Sequence, residues 1–159
     1  TQLIDIRSHP RSRTNPQYNL DPLPETLAQY QISHVYLKDL GGRRPRQQAV
    51  DPAVNSFWQN QSFHNYADYA TTEPFQTGLG ELLALCAGKS SAVMCSEAVW
   101  WRCHRRIVAD YLLHKGYTVY HLMGPGRIES AKMTPAAEPH ESYLFYPADP
   151  LSASRGVRR

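Results

Sequence analysis

The 159-residue chain has few cysteines, little charge and no long apolar run. Its three cysteines, Cys86, Cys95 and Cys103, are an odd number, and no basic segment followed by an apolar one opens the sequence. A secreted fold held by disulfides is therefore not expected. The longest apolar stretch falls well short of the roughly 20 residues that a membrane-spanning helix needs. We therefore expect a cytoplasmic protein with reduced thiols and no membrane partner.

The excess of positive over negative charge is also small, since the chain has 17 Lys and Arg and 14 Asp and Glu, which gives a net charge of +3 at pH 7. A net charge of this size does not by itself predict nucleic-acid binding, so the grouping of the basic residues carries more information. They group as Arg7/Arg11/Arg13, Arg43/Arg44/Arg46 and Arg102/Arg105/Arg106.

Apolar runs that alternate with helical segments predict a single α/β domain over residues 1–150, with a mainly parallel sheet flanked by helices. The strands are predicted at residues 3–7, 34–40, 91–95, 117–122 and 142–146, and the helices at residues 25–32, 63–87 (in one or two pieces) and 96–115. Residues 151–159 are predicted to form a flexible tail. Ligands of such domains bind where strands end and loops or helices begin.

The segment Cys95–Arg105 holds two thiols, a carboxylate, an imidazole and two guanidinium groups within eleven residues. Cys95 is predicted at the end of a strand and directly before a helix, where backbone amides and the helix dipole favour a thiolate. It is a candidate nucleophile or metal ligand, and alternatively a small buried residue. Glu97 and His104 are candidate acids, bases or ligands. Alternatively, Glu97 complements the helix dipole and His104 is a hydrogen-bonded histidine on a half-buried face.

Two thiols and an imidazole in this segment, on Cys95, Cys103 and His104, are the ligand types that zinc or iron accepts. Their spacing matches no standard zinc motif, so zinc or iron is a weakly supported cofactor. The alternative for Cys103 is a core-facing side chain.

Arginines that follow predicted strands are candidates for binding a phosphate or carboxylate, because the planar guanidinium donates several hydrogen bonds at once. Surface charge is the alternative for all of them, and a solvated helix face for the last two. The candidates are Arg7, Arg11, Arg13, Arg43, Arg44, Arg102 and Arg105. Asp5 lies in an apolar strand, so it should have a structural partner such as an arginine.

Five blocks of sequence identify a family resemblance. They are Ile4–Arg13 with Asn15–Asn19, Leu40–Arg44, Tyr66–Tyr69, Met94–Glu97 and Trp101–Arg105. Together they make residues 3–122 resemble the bacterial and archaeal family called domain of unknown function 488. The resemblance implies a compact Rossmann-like α/β domain in the cytoplasm and no established reaction. Family members usually begin with one more strand and helix, so the resemblance also implies that this chain lacks those two elements.

The first functional hypothesis is an enzyme that acts on a phosphorylated or nucleic-acid-derived anionic substrate. Its catalytic residues would be Cys95, Glu97 and His104, with the arginines holding the anion. The second hypothesis is a non-catalytic nucleic-acid-binding module, and the third is a metal-binding or redox-sensing domain that uses Cys95 and Cys103.

Overall fold

The structure, a computed structural model, describes residues 1–149. Its elements are β1 (Gln2–Asp5), α1 (Leu23–Ala28), β2 (Ser33–Tyr36), α2 (Gln61–Tyr69), α3 (Glu73–Cys86), β3 (Ser91–Met94), α4 (Arg105–His114), β4 (Tyr120–Gly124), β5 (Arg127–Ser130), β6 (Glu138–His140) and β7 (Tyr143–Phe145). The predicted α/β class is confirmed. No helix of the described residues is both long and apolar enough to cross a membrane.

The described chain divides into two compact units. Unit one comprises Thr1–Gly42 and Glu73–Ala98, and unit two comprises Arg43–Thr72 and the residues from Val99 onward. A single domain over residues 1–150 stays a prediction. The flexible tail predicted at residues 151–159 lies outside the described residues.

Unit one contains a parallel sheet with the strand order β2-β1-β3. The central strand β1 pairs on both edges, with Ile4 opposite Val35 on one side and Val93 on the other. Ile4 and Ile6 are fully buried, which is why this strand reads as an apolar run rather than an alternating one. The chain leaves β1 for the neighbour on one side and then crosses to the neighbour on the other side.

Gly41 marks a close approach in unit one, where the chain turns after a short 3-10 helix, Lys38–Leu40. A Cβ atom at this position would lie 2.8 Å from Ser8 Oγ, 3.0 Å from the Lys38 carbonyl oxygen and 3.1 Å from Ser8 Cα. Two of these three atoms belong to the backbone and cannot rotate away.

We therefore expect Gly41→Ala to lower the free energy of unfolding by about 1–3 kcal/mol, the usual cost of inserting a methyl group into tightly packed structure. Urea denaturation followed by circular dichroism measures this loss. Gly80→Ala is the matched control, because a Cβ at Gly80 meets no atom within 4 Å. An unchanged midpoint for Gly41→Ala would contradict the predicted contact.

Unit two is built around α2 and α4, and its largest fully buried side chains are Tyr66, Tyr111 and Tyr146. Asn60 begins α2, since its side-chain oxygen accepts hydrogen bonds from the first free amides of the helix. The strands of this unit form two antiparallel hairpins, β4-β5 and β6-β7. The expectation of a mainly parallel sheet therefore holds for unit one only.

Three boundary predictions were wrong by four or more residues, and one of them is the helix predicted at residues 25–32, which ends at Ala28. The helix predicted from Ser96 begins instead at Arg105, after a segment with several bends and a 3-10 turn at Trp100–Arg102. The strand predicted at residues 34–40 ends at Tyr36. By contrast, the break in the long helical segment is confirmed, because residues 70–72 separate α2 from α3.

Candidate functional site

The candidate site of unit one lies at the carboxyl edge of its parallel sheet. Cys95 directly follows β3, and Arg7 follows β1 by two residues. The two strand ends are adjacent, since the Ile6 amide donates to the Met94 carbonyl at 3.0 Å. The chain passes from β1 to β2 on one side of the central strand and then crosses to β3 on the other side. The position between β1 and β3 is therefore a topological switch point, where open α/β sheets bind ligands.

Asp5 and Arg7 form a buried ion pair at this edge. The Arg7 Nη2 atom lies 2.7 Å from Asp5 Oδ2, and Arg7 Nε donates to Asp5 Oδ1 at 2.9 Å. The same Nη2 also donates to the Tyr18 carbonyl at 2.7 Å, which ties the loop after β1 to the strand. The arginine partner predicted for Asp5 is confirmed. Arg7 is only 5% exposed, so its guanidinium group is engaged in the ion pair with Asp5.

His34 on β2 adds a third group to the pair. Its Nε2 atom is 3.6 Å from Asp5 Oδ2, and its side chain is buried. At this distance Nε2 makes no hydrogen bond, and it is one of two buried side-chain polar atoms without a partner among the described residues. No local sequence pattern points to this histidine, because its neighbour in space, Asp5, is 29 positions away.

The remaining arginines of unit one are exposed. Arg11 forms an ion pair with Asp21 at 2.9 Å, and both side chains are about two-thirds exposed. Arg13 is exposed and forms no ion pair within residues 1–149. Exposed pairs contribute little to stability, so both arginines could turn towards an anionic ligand. Anion binding by these side chains stays a prediction.

Cys95 and Glu97 lie in the irregular segment after β3, with Cys95 half-buried and Glu97 exposed. Because no helix starts at Ser96, Cys95 does not directly precede a helix in the chain, and Glu97 is not in a first helical turn. The predicted position of Cys95 directly before a helix was therefore wrong, while its place at the end of a strand is confirmed. A catalytic role for Cys95, Glu97 or His104 stays a prediction.

The helix amino terminus instead lies beside Cys103 in unit two. The Sγ atom of Cys103 accepts hydrogen bonds from the Arg105 amide and from Arg105 Nε, both at 3.3 Å. His104 Nδ1 lies 3.6 Å from the same sulfur, and the His104 ring packs edge-on against Tyr66 with centroids 4.9 Å apart. Cys103 is 1% exposed, so the expected core-facing position is confirmed.

Three further candidate arginines belong to unit two. The Arg44 guanidinium lies 4.0 Å from the centroid of the Tyr69 ring, a cation-π contact that fixes its direction. Arg43 and Arg102 are exposed. Their predicted role in anion binding stays a prediction.

Cys103 and His104 bring a thiol sulfur and an imidazole nitrogen within 3.6 Å of each other in unit two, while Cys95 belongs to unit one. A metal ion held by these three residues stays a prediction. Thiolate and imidazole are ligands that zinc and iron accept. This chemistry makes a metal possible and does not by itself identify one.

The sequence matches the model of the family described as Domain of unknown function DUF488 over residues 1–112. The chain belongs to this family. No curated protein and no solved structure matches it. The DUF488 match includes unit one and α2, and it includes α4 up to Leu112.

Trp100 of unit two contacts two residues that lie after the segment matched by the DUF488 model. The Trp100 ring stacks on His121 with centroids 4.3 Å apart, and Trp100 Nε1 donates to Glu129 at 3.3 Å. Burial, with a smaller effect of the Arg105 charge, lowers the pKa of His121, so the stacked imidazole is neutral at pH 7. Sequence reasoning missed both partners, and the Gly124-Pro-Gly126 turn was the available signal for a hairpin.

Proposed function

We propose that this DUF488 protein is an enzyme that acts on a phosphorylated or nucleic-acid-derived anionic substrate at the carboxyl edge of the unit-one sheet. The observation that carries the proposal is the position of Cys95, a half-buried thiol at the end of β3 and next to the end of β1. A ligand at this switch point would lie beside both the thiol and the loop that carries Arg11 and Arg13.

The chain supplies the groups for covalent chemistry at this edge. The sulfur of Cys95 forms a bond to the electrophilic centre of the substrate, its proton passes to the Glu97 carboxylate, and the leaving group departs with the bonding electron pair. The assignment of His104 as a further acid or base, and of Arg102 and Arg105 as anion-binding groups, stays a prediction from the sequence. Because Arg7 is engaged by Asp5 and Tyr18, we assign it to shaping the loop.

The proposal predicts that Cys95 reacts preferentially with an anionic reagent. Iodoacetate is negatively charged and iodoacetamide is neutral, and both alkylate a thiolate by displacing iodide. If arginines attract anions to the surroundings of Cys95, iodoacetate should be favoured there. The ratio of the alkylation rate with iodoacetate to that with iodoacetamide should be several-fold higher at Cys95 than at Cys86. Peptide mass spectrometry after timed alkylation measures both rates in one sample.

Cys86 is the internal control, since it is also half-buried and lies at the end of α3. Inorganic pyrophosphate should slow alkylation of Cys95 and leave Cys86 unaffected, and Arg13→Ala should reduce the preference for iodoacetate. Equal ratios at the two thiols, with no protection by pyrophosphate, would refute anion capture at this edge.

Turnover gives the second test of the enzyme. A panel of phosphorylated small molecules and short oligonucleotides, analysed by mass spectrometry for released products, should reveal a substrate that Cys95→Ser no longer converts. The substitution replaces a half-buried sulfur by oxygen, so the melting temperature should stay nearly unchanged. Normal turnover by Cys95→Ser would remove the thiol from the mechanism. The prediction of zinc or iron as a cofactor is tested separately, by elemental analysis of freshly purified protein.

A further inference from the structure

His34 is a buried, titratable side chain of unit one that the proposed reaction does not use. Its side chain is 4% exposed, and its Nε2 atom has no hydrogen-bond partner among residues 1–149. Buried polar atoms without a partner are rare in folded proteins, because the lost contact with water is not replaced. A proton on Nε2 would supply a partner, since Asp5 Oδ2 is 3.6 Å away. A shift of about 0.6 Å would bring the two atoms within hydrogen-bond distance.

The charges around His34 decide when it holds that proton. β1 and α1 are the elements that pack most extensively against β2. The residues of β1 and directly after it contribute Asp5 and Arg7, α1 contributes the exposed Glu25, and β2 itself contributes Tyr36. With a neutral imidazole, the buried group has one negative and one positive charge. With a protonated imidazole, two positive charges share one carboxylate, which disfavours the proton.

Arg7 lies where a ligand can neutralise the additional charge. It follows β1 by two residues, at the switch point between β1 and β3. Its Nε and Nη2 atoms donate to Asp5 and to the Tyr18 carbonyl. Its Nη1 atom makes no hydrogen bond within residues 1–149 and is not one of the buried atoms without a partner, so this donor reaches solvent. An oxyanion at Nη1 would accept a charge-assisted hydrogen bond.

We infer that Asp5, Arg7 and His34 form a proton-coupled oxyanion site, in which an anion binds to Arg7 as His34 takes up a proton. The anion supplies the negative charge that balances the imidazolium. The imidazolium in turn gives Asp5 a second donor, which releases part of the Arg7 guanidinium to the ligand. Without the anion, Arg7 only shapes the loop. The inference rests on the proposed function for the anionic nature of the substrate, and it makes His34 a positioning residue of that site.

Thermodynamic linkage gives the direction of the pH dependence. Histidine ordinarily changes its charge between about pH 5 and pH 8. If anion binding takes up a proton, a lower pH must strengthen anion binding through the same coupling. For one proton, the affinity rises by up to about tenfold for each pH unit over the range in which His34 is neutral in the free protein and charged in the complex.

Isothermal titration calorimetry of the full chain with sodium sulfate, at constant ionic strength, tests this inference. Sulfate keeps its charge between about pH 5 and pH 8, so a change in affinity reports on the protein. Titrations at pH 7 in two buffers with different enthalpies of ionisation measure the protons taken up, which should approach about one per sulfate. In His34→Gln and His34→Asn this uptake should be lost, and the sulfate affinity should no longer rise at low pH. His9→Gln is the matched control, because His9 is exposed in the loop after β1.

Three results would overturn the inference: no sulfate binding at pH 6, binding without proton uptake, or the same uptake in His34→Gln as in wild type. The first two are measured on wild type and decide the question even if the His34 variants do not fold. Loss of uptake in His9→Gln alone would assign the proton to the exposed loop and also refute it. The alkylation ratio at Cys95 is measured at one pH and without sulfate. A positive ratio without proton uptake would therefore leave the proposed enzyme intact, and the reverse would leave this coupling intact.

Discussion

Replacing Asp5 with alanine should lower the free energy of unfolding by about 3–5 kcal/mol, the cost of leaving one partner of a buried ion pair without the other. Asp5 is fully buried and accepts hydrogen bonds from Arg7 through both carboxylate oxygens. In Asp5→Ala the Arg7 guanidinium would keep its bond to the Tyr18 carbonyl and lose its counter-charge. Equilibrium unfolding in urea measures the loss.

Asp21→Ala provides the matched control, since it removes the acid of an Arg–Asp pair whose side chains are both about two-thirds exposed. Its expected effect is within about 1 kcal/mol. The double variant Asp5→Ala/Arg7→Met should recover part of the loss, because it no longer buries an unpaired charge. A loss no larger for Asp5→Ala than for Asp21→Ala would show that the Asp5–Arg7 pair does not hold the end of β1.

The strands of unit one could be read from the sequence because each contains apolar or β-branched residues in a short run, and the central strand β1 is buried by its neighbours. The Asp5–Arg7 pair could also have been found, since positions two apart on a strand share a face. The contact of Arg44 could not be predicted from the sequence, because its partner, the Tyr69 ring, is 25 positions away. Composition groups basic residues, and only the fold assigns their partners.

The start of α4 was misjudged for a physical reason. Ser96 and Glu97 have the chemistry of a helix amino terminus, and local propensity therefore favours a helix there. In the structure Trp100 is instead held by His121 and Glu129 of the hairpin, and Cys103 is buried. These contacts come from residues about 20–30 positions later, so no local pattern contains them. The same holds for β5, whose four residues are all exposed and form a strand only by pairing with β4.

Replacing Asp110 with alanine should lower the free energy of unfolding by about 2–4 kcal/mol. Asp110 is 1% exposed and accepts hydrogen bonds from the Thr134 amide at 2.8 Å and from the Tyr146 hydroxyl at 2.9 Å. Both donors are themselves buried, and each buried donor left without an acceptor costs about 1–3 kcal/mol. Asp110→Asn should lose less, since its amide oxygen can still accept from Thr134 and its amide nitrogen can donate to the Tyr146 oxygen.

The comparison of wild type with Asp110→Asn also predicts a pH dependence. Burial raises the pKa of Asp110 above its usual value of 3.8, and this outweighs the opposing hydrogen bonds from Thr134 and Tyr146 and the charge of Arg106. The folded state therefore binds the proton more tightly than the unfolded state, so the contribution of Asp110 is most favourable below pH 3.8 and declines as the pH rises through the folded pKa. Asp68, whose pKa is also raised by burial, is present in both proteins and cancels in the difference.

Urea titrations of both proteins between pH 3 and pH 7 should show the stability of wild type falling relative to Asp110→Asn across that range. A constant difference would mean that the Asp110 carboxylate is as well stabilised in the folded protein as in water, and a difference that rises with pH would mean that its hydrogen bonds outweigh burial.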